Sequence, residues 1–198
     1  MRLFPEEAPR LSGPPFTRAV VDFPWDERGG GGRGTQNHYS SVPVKEGPTL
    51  IIGSGLWRFA PHAHLYLWVT STHDAEGHWL LEQLGFRYVT DFVWRKPTVG
   101  MGQYRRSTHE RILLGTRGSG FHESVHAGGQ PQRSVFDWPS PREEGRRVHS
   151  RKPREFWTEL VEVLSHGPGV EFFARGAGFN SAWTVWGNEA QAPCEVAS

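Results

Sequence analysis

The stretch Arg18-Ala19-Val20-Val21-Asp22-Phe23-Pro24-Trp25 decides how this chain is read. Its first half is short, apolar and β-branched, the pattern of a buried strand, and it stops at Pro24, which has no amide proton to give to a ladder. An acid, Asp22, therefore stands at the carboxyl end of a buried strand. Residues 26–37 (DERGGGGRGTQN) follow without one apolar side chain and read as a loop that cannot pack. Residues 1–17 are proline-rich and aperiodic, and read as an extended N-terminal arm.

Further along, the hydrophobic period alternates between strand and helix. Residues 64–70 (HLYLWVT) form a second apolar run, and His73 to Leu84 spaces Trp79, Leu80, Leu81 and Leu84 as a helix that Gly85 ends. Residues 87–94 and 110–115 repeat the strand pattern. Ser150 and Pro153 introduce a helix in which Phe156, Leu160, Val161 and Leu164 share a face, and 169–174 and 183–186 are two more strands. Alternation of this kind predicts an α/β domain over 18–189, with a mostly parallel sheet, helices on both faces and a C-terminal tail over 190–198. Ligands of such sheets lie at the carboxyl ends of the strands, where Asp22, Thr70 to Thr72, Trp94 to Lys96 and Arg175 fall.

Bulk composition narrows the classes without naming one. With 22 Lys+Arg against 21 Asp+Glu among 198 residues, no strong field marks a nucleic-acid partner. The single cysteine, Cys194, excludes an intrachain disulfide and points to the cytoplasm. No apolar run is long enough to span a bilayer, so no membrane partner is expected. His62, His64, His73 and His78 lack a carboxylate or thiol placed to complete a metal set, so no metal is expected. The glycines at 29–32 lack the Gly-Lys-Ser/Thr of a phosphate loop.

An acid, a proline and an aromatic at a strand end can grip a planar base and accept protons from its amine. The same string is also an ordinary strand-ending turn, and both readings stand at this level. Beside it, however, lie His38-Tyr39, LYLWVTS (65–71), LGF, YVT, VW and K within 84–96, HERILLGTRG (109–118), HSRKPREF (149–156), VEFFAR (170–175) and WGNE (186–189). In these elements and their order the chain resembles the adenine N6 methyltransferases grouped around the catalytic subunit of the eukaryotic mRNA N6-adenosine methyltransferase, a family with bacterial and phage members that act on DNA.

The resemblance implies a Rossmann-like class I methyltransferase fold with circularly permuted motif order, the base-handling turn early and the cofactor strand late. It implies S-adenosylmethionine as cofactor and nucleic acid as substrate, DNA before RNA, with an inactive binding subunit of the same fold as an alternative, and a homodimer or heterodimer as the assembly. Catalysis falls to Asp22, Phe23, Pro24 and Trp25: Asp22 and a carbonyl of residue 23 or 24 accept the amine protons, and Trp25 stacks on the base. Phe23 stands where the family has proline, which removes one rigid constraint from the turn. Cofactor binding falls to Asp22, Lys152, Glu171, Arg175, Asn188 and Glu189.

Tyr39 and Glu110 match substrate-pocket positions, and Lys96, Tyr104 and Arg105 belong to a basic loop suited to a phosphate backbone. Several residues keep a blander reading. Glu171, an acid in an apolar strand, needs a partner and could pair with Arg175. Lys152 and the basic loop could be solvated, while Phe136 and Trp138 could pack on the body or form a dimer contact.

Overall fold

The computed structural model describes residues 13–26, 41–99, 104, 106–119, 133–143, 145–147 and 151–190. Its centre is a seven-stranded sheet. In chain order the strands are β1 (Phe16–Val21), β2 (Phe59–Val69), β3 (Arg87–Arg95), β4 (His109–Arg117), β5 (Val135–Phe136), β8 (Gly169–Phe172) and β10 (Trp183–Trp186). Spatially they run β10-β8-β1-β2-β4-β3-β5. All neighbouring pairs are parallel except the two that β4 makes, antiparallel to β2 and to β3. The expected mostly parallel sheet is therefore present, with one reversed strand inside it. β1 begins at Phe16, two residues before the expected boundary at Arg18.

Side-chain alternation along the strands divides the interior into two cores. Val21, Leu65, Leu67 and Val69 face one side, where α1 (Gly47–Gly53) and α2 (Asp74–Gln83) bring Ile51, Leu80 and Leu81. The 3₁₀ turn Val44–Glu46 and α1 were not expected from the periodicity, since a seven-residue helix leaves too few apolar repeats to register. Gly77 lets α2 lie directly on β2, because a Cβ there would collide with Cγ1 of Val69.

Val20, Tyr66 and Trp68 face the other side, against α3, which is wound as a π-helix over Phe156–Val161 and ends in an α turn over Glu162–Leu164. Trp138 is buried in this second core and its indole donates to Glu159, so the segment after β5 packs on the body. Two short pairs complete the described elements: β6 (Arg142–Glu143) with β7 (Arg146–Arg147), and β9 (Arg175–Gly176) with β11 (Glu189–Ala190).

An ion pair between the buried Arg18 and the partly buried Glu162 fastens α3 to the amino ends of the strands. Arg18 donates to Glu162 at 2.9 Å and to the Ser165 carbonyl at 2.7 Å, and its guanidinium lies 4.7 Å from the centre of the Trp183 ring. Trp183 returns an indole N–H to the second Glu162 oxygen, and Tyr66 donates to Ser165 at 3.0 Å. Removing one partner of a buried pair strands the other charge. Glu162→Ala should lower unfolding free energy by about 3 kcal/mol in urea titration, and Arg18→Met added to Glu162→Leu should restore most of it. A cost below about 1 kcal/mol would place the pair with solvated surface bridges.

Candidate active site

β1 ends at Val21, and the next five residues straddle the sheet. By strand alternation Asp22 projects toward the second core while Phe23 turns into the first. Phe23 is buried, its ring 4.9 Å from Trp25 and 5.3 Å from Phe173. A Cβ on Gly47 would come within 2.8 Å of the Phe23 ring, so the glycine opening α1 makes room for it. Packing on Trp25 and Phe173 thus holds the turn at Phe23. Trp25 donates its indole N–H to the Trp68 carbonyl at 3.0 Å. The turn's carbonyls each hold one amide: Trp25 donates to Phe23 O at 2.9 Å and Val42 to Pro24 O at 3.0 Å. A carbonyl oxygen has two lone pairs, so each retains capacity for one more donor.

Asp22 opens a series of alternating charges. Lys152 donates to Asp22 at 2.9 Å and to Glu110 at 3.2 Å, and the other Glu110 oxygen meets Lys96 at 2.5 Å. The Lys152 ammonium also sits over Trp68, 4.7 Å from the ring centre. All these side chains are partly buried, so their charges interact in a medium of low polarizability. Burial, offset only in part by Lys152, raises the Asp22 carboxyl above its ordinary value. Burial would raise Glu110 too, but Lys152 and Lys96 outweigh it and hold that carboxyl at about 2. For Lys152 burial works against the charge, yet Asp22 and Glu110 keep it above the usual lysine range.

Glu171 lies on β8 opposite Val20 of β1, two residues inside Asp22. Among the described residues its carboxyl makes no hydrogen bond or ion pair. Burial first, then repulsion from Asp22, raises it to about 8, against attraction from Lys152. Two residues on, Phe173 adopts φ 62°, a left-handed backbone that ordinary side chains avoid. Such conformations cluster where a backbone must bend around a ligand. The bend leads Ala174 N onto Trp186 O at 3.0 Å and Arg175 into register with Glu189.

The expected residues therefore fall into distinct groups. Asp22, Glu110, Lys152 and Glu171 converge at the carboxyl ends of β1 and β8, while Arg175, Asn188 and Glu189 lie on the neighbouring β9–β11 pair or next to it. Lys96 is partly engaged, since its ammonium meets Glu110 at 2.5 Å. Trp25 is only 5% exposed, stacks on His73 with ring centres 5.2 Å apart, and has its indole drawn inward by Trp68 O. Phe23 turns its side chain into the first core, and its carbonyl accepts the Trp25 amide. Tyr104 is fully exposed. Tyr39 and Arg105 lie outside the described residues. His73 and Trp68 were not anticipated as parts of this site, since only the folded turn brings them to it. Among the described residues, no cluster of His, Cys, Asp and Glu suits a metal ion, and no helix is long and apolar enough to cross a membrane.

A family model described as MT-A70 matches residues 56–189, a segment that starts after the Asp22 to Trp25 turn. The chain is also similar to a Medicago truncatula protein named an MT-A70-like N(6)-adenosine-methyltransferase. The two are 24% identical over 182 residues, covering 88% of this chain and 26% of that protein. This chain spans about a quarter of the length of the curated relative it matches.

Two outcomes follow from this geometry. Phe23→Pro should cost about 3 kcal/mol of stability through the lost ring. Gly47→Ala, destabilising in the parent, should cost much less in that background; equal cost in both would disprove the ring-to-glycine fit. For Glu171, the unfolded carboxyl loses its proton near 4.5 while the folded one keeps it to about 8. The folded state therefore binds more protons across that interval, and stability falls as pH rises through it. Glu171→Gln should flatten the decline in urea midpoint between about pH 5 and about pH 8.5.

Proposed function

Because the chain belongs to the MT-A70 family, we propose that it transfers the methyl group of S-adenosylmethionine to the N6 amine of adenine in nucleic acid. The observation that carries this reading is the Asp22–Lys152 pair at 2.9 Å, a carboxylate and an ammonium side by side at the carboxyl ends of parallel strands. A zwitterionic amino acid presents the inverse pair, so Lys152 suits its carboxylate and Asp22 its ammonium. Lys152 spends two of its three N–H groups on Asp22 and Glu110. The Glu171 carboxyl, with Arg175 and Asn188 beyond it, suits the hydroxyls of a ribose.

When bound, S-adenosylmethionine supplies a methyl group activated by its sulfonium. The chain's own residues must prepare the amine. The N6 lone pair is delocalised into the adenine ring, so the nitrogen gains nucleophilicity when its protons are held by acceptors. Asp22 and the open lone pair of the Phe23 or Pro24 carbonyl are such acceptors, fixed before the base arrives. Fixing them in advance converts a diffusive encounter into an oriented one. A base within a duplex would first leave its stack, at a cost of a few kcal/mol. In this role Trp25 is a rigid wall behind the turn.

The finer reading is DNA as the polymer, resting on the likeness to the family's bacterial and phage members that act on it. The adenosine in the Medicago relative's name favours RNA as the second reading. The test incubates the protein with methyl-labelled S-adenosylmethionine and, separately, duplex DNA, single-stranded DNA and RNA, then digests each and assays N6-methyladenine. Asp22→Ala should lower the rate by at least about 100-fold. Lys152→Met should weaken cofactor binding about tenfold or more, the loss expected for a charge-assisted contact. Cofactor binding without product on any polymer would shift the assignment to an inactive binding subunit, and absence of cofactor binding would overturn it.

A further inference from the structure

His73 stands directly before α2, and its ring lies against Trp25 with centroids 5.2 Å apart and planes inclined by 21°. Its Nε2 is 3.1 Å from the Asp26 carbonyl, which can only accept, so Nε2 carries a proton in this contact. In the neutral ring Nδ1 is then the acceptor, 2.9 Å from the Thr70 hydroxyl and 3.1 Å from that of Thr72. The His73 backbone is itself held at both ends: its amide donates to Thr70 O at 3.0 Å, and Gly77 N donates to its carbonyl at 2.8 Å. The ring is therefore attached to β2 and α2 on one side and to the turn 22–26 on the other.

On the far side of that stack, Trp25 is tied to Trp68 O, and its own amide closes on Phe23 O at 2.9 Å. Moving His73 would release the Asp26 carbonyl and one face of Trp25 together. Both belong to the segment whose carbonyls stand beside Asp22.

We infer that His73 is a positioning residue for the turn 22–26: its Nε2–H holds Asp26, its ring face holds Trp25, and through them it aims the Phe23 and Pro24 carbonyls. It touches no reacting atom. Its effect on turnover rests on the methyl-transfer reading above, whereas its hold on the turn does not.

Two variants separate the contacts in the full chain. His73→Phe keeps a stacking ring and removes both nitrogens, while His73→Gln keeps a donor toward Asp26 O. Amide hydrogen exchange, followed by NMR, reads the turn directly. In His73→Phe the Trp25 and Val42 amides should exchange about tenfold faster or more while amides of β1 and β8 stay protected, the pattern of local opening. With an active polymer, kcat should fall about tenfold or more and the dissociation constant for S-adenosylmethionine should stay within about twofold, as for lost orientation. His73→Gln, which keeps the donor and loses the stacked ring, should recover part of both. Unchanged protection of Trp25 and Val42 would overturn the inference, as would a uniform loss across all strands, which would make His73 a general stabiliser. If the parent protein methylates no polymer, the exchange measurement still decides, and only the methyl-transfer reading fails.

Discussion

A carboxylate at the end of a buried strand is tolerable only if something answers its charge, and here Lys152 answers Asp22. Burial disfavours the lysine's charge, and Asp22 and Glu110 together more than offset it. Glu110 shares the load from the other side, and Lys96 balances Glu110 in turn. Each member makes its neighbour's ionised form affordable, so the row behaves as one electrostatic unit. Its members come from the end of β1, from β4, from just beyond β3 and from the segment before α3. The fold and the charge row are consequently one problem: the sheet order brings these positions together, and the charges accept no other arrangement.

The turn that follows Asp22 solves a second problem, which is how to place an acid accurately on a flexible connection. Asp22 faces one core while the large rings of Phe23 and Trp25 are sunk in or against the other, where Phe173, Gly47, Trp68 O and His73 receive them. The chain is pinned on the side away from the chemistry. Proline would do this by restricting the backbone, whereas Phe23 does it with buried area. The two solutions differ in where the rigidity resides, in the covalent chain or in its surroundings.

Much of the architecture was legible because it depends on periodicity. The apolar runs of β1, β2 and β8 and the Leu80, Leu81, Leu84 spacing of α2 leave clear marks, and the sheet carries them as expected. Short elements such as α1 leave none, and the reversal of β4 is a matter of pairing that no single strand encodes. For the site, Asp22 and Glu171 stood out as acids in or at the end of apolar strands, while Glu110 and Lys152 were reached through the resemblance to the methyltransferase family. Orientation was not legible. Nothing local tells whether Trp25 looks outward to a base or inward to Trp68, or whether Lys96 reaches for a phosphate or for Glu110. His73 is the clearest instance, an unremarkable histidine until the turn is folded over it.

The position of β1 between β8 and β2 has a consequence for the birth of the molecule. β1 is made first among the strands but one of its two neighbours comes near the end, and so does the lysine that neutralises Asp22. Until the segment carrying Lys152 and β8 has emerged, β1 has an open edge and a bare acid at its tip. Contacts so distant along the chain close slowly. A nascent chain stopped before Lys152 would thus hold Asp22 without the lysine that answers its charge.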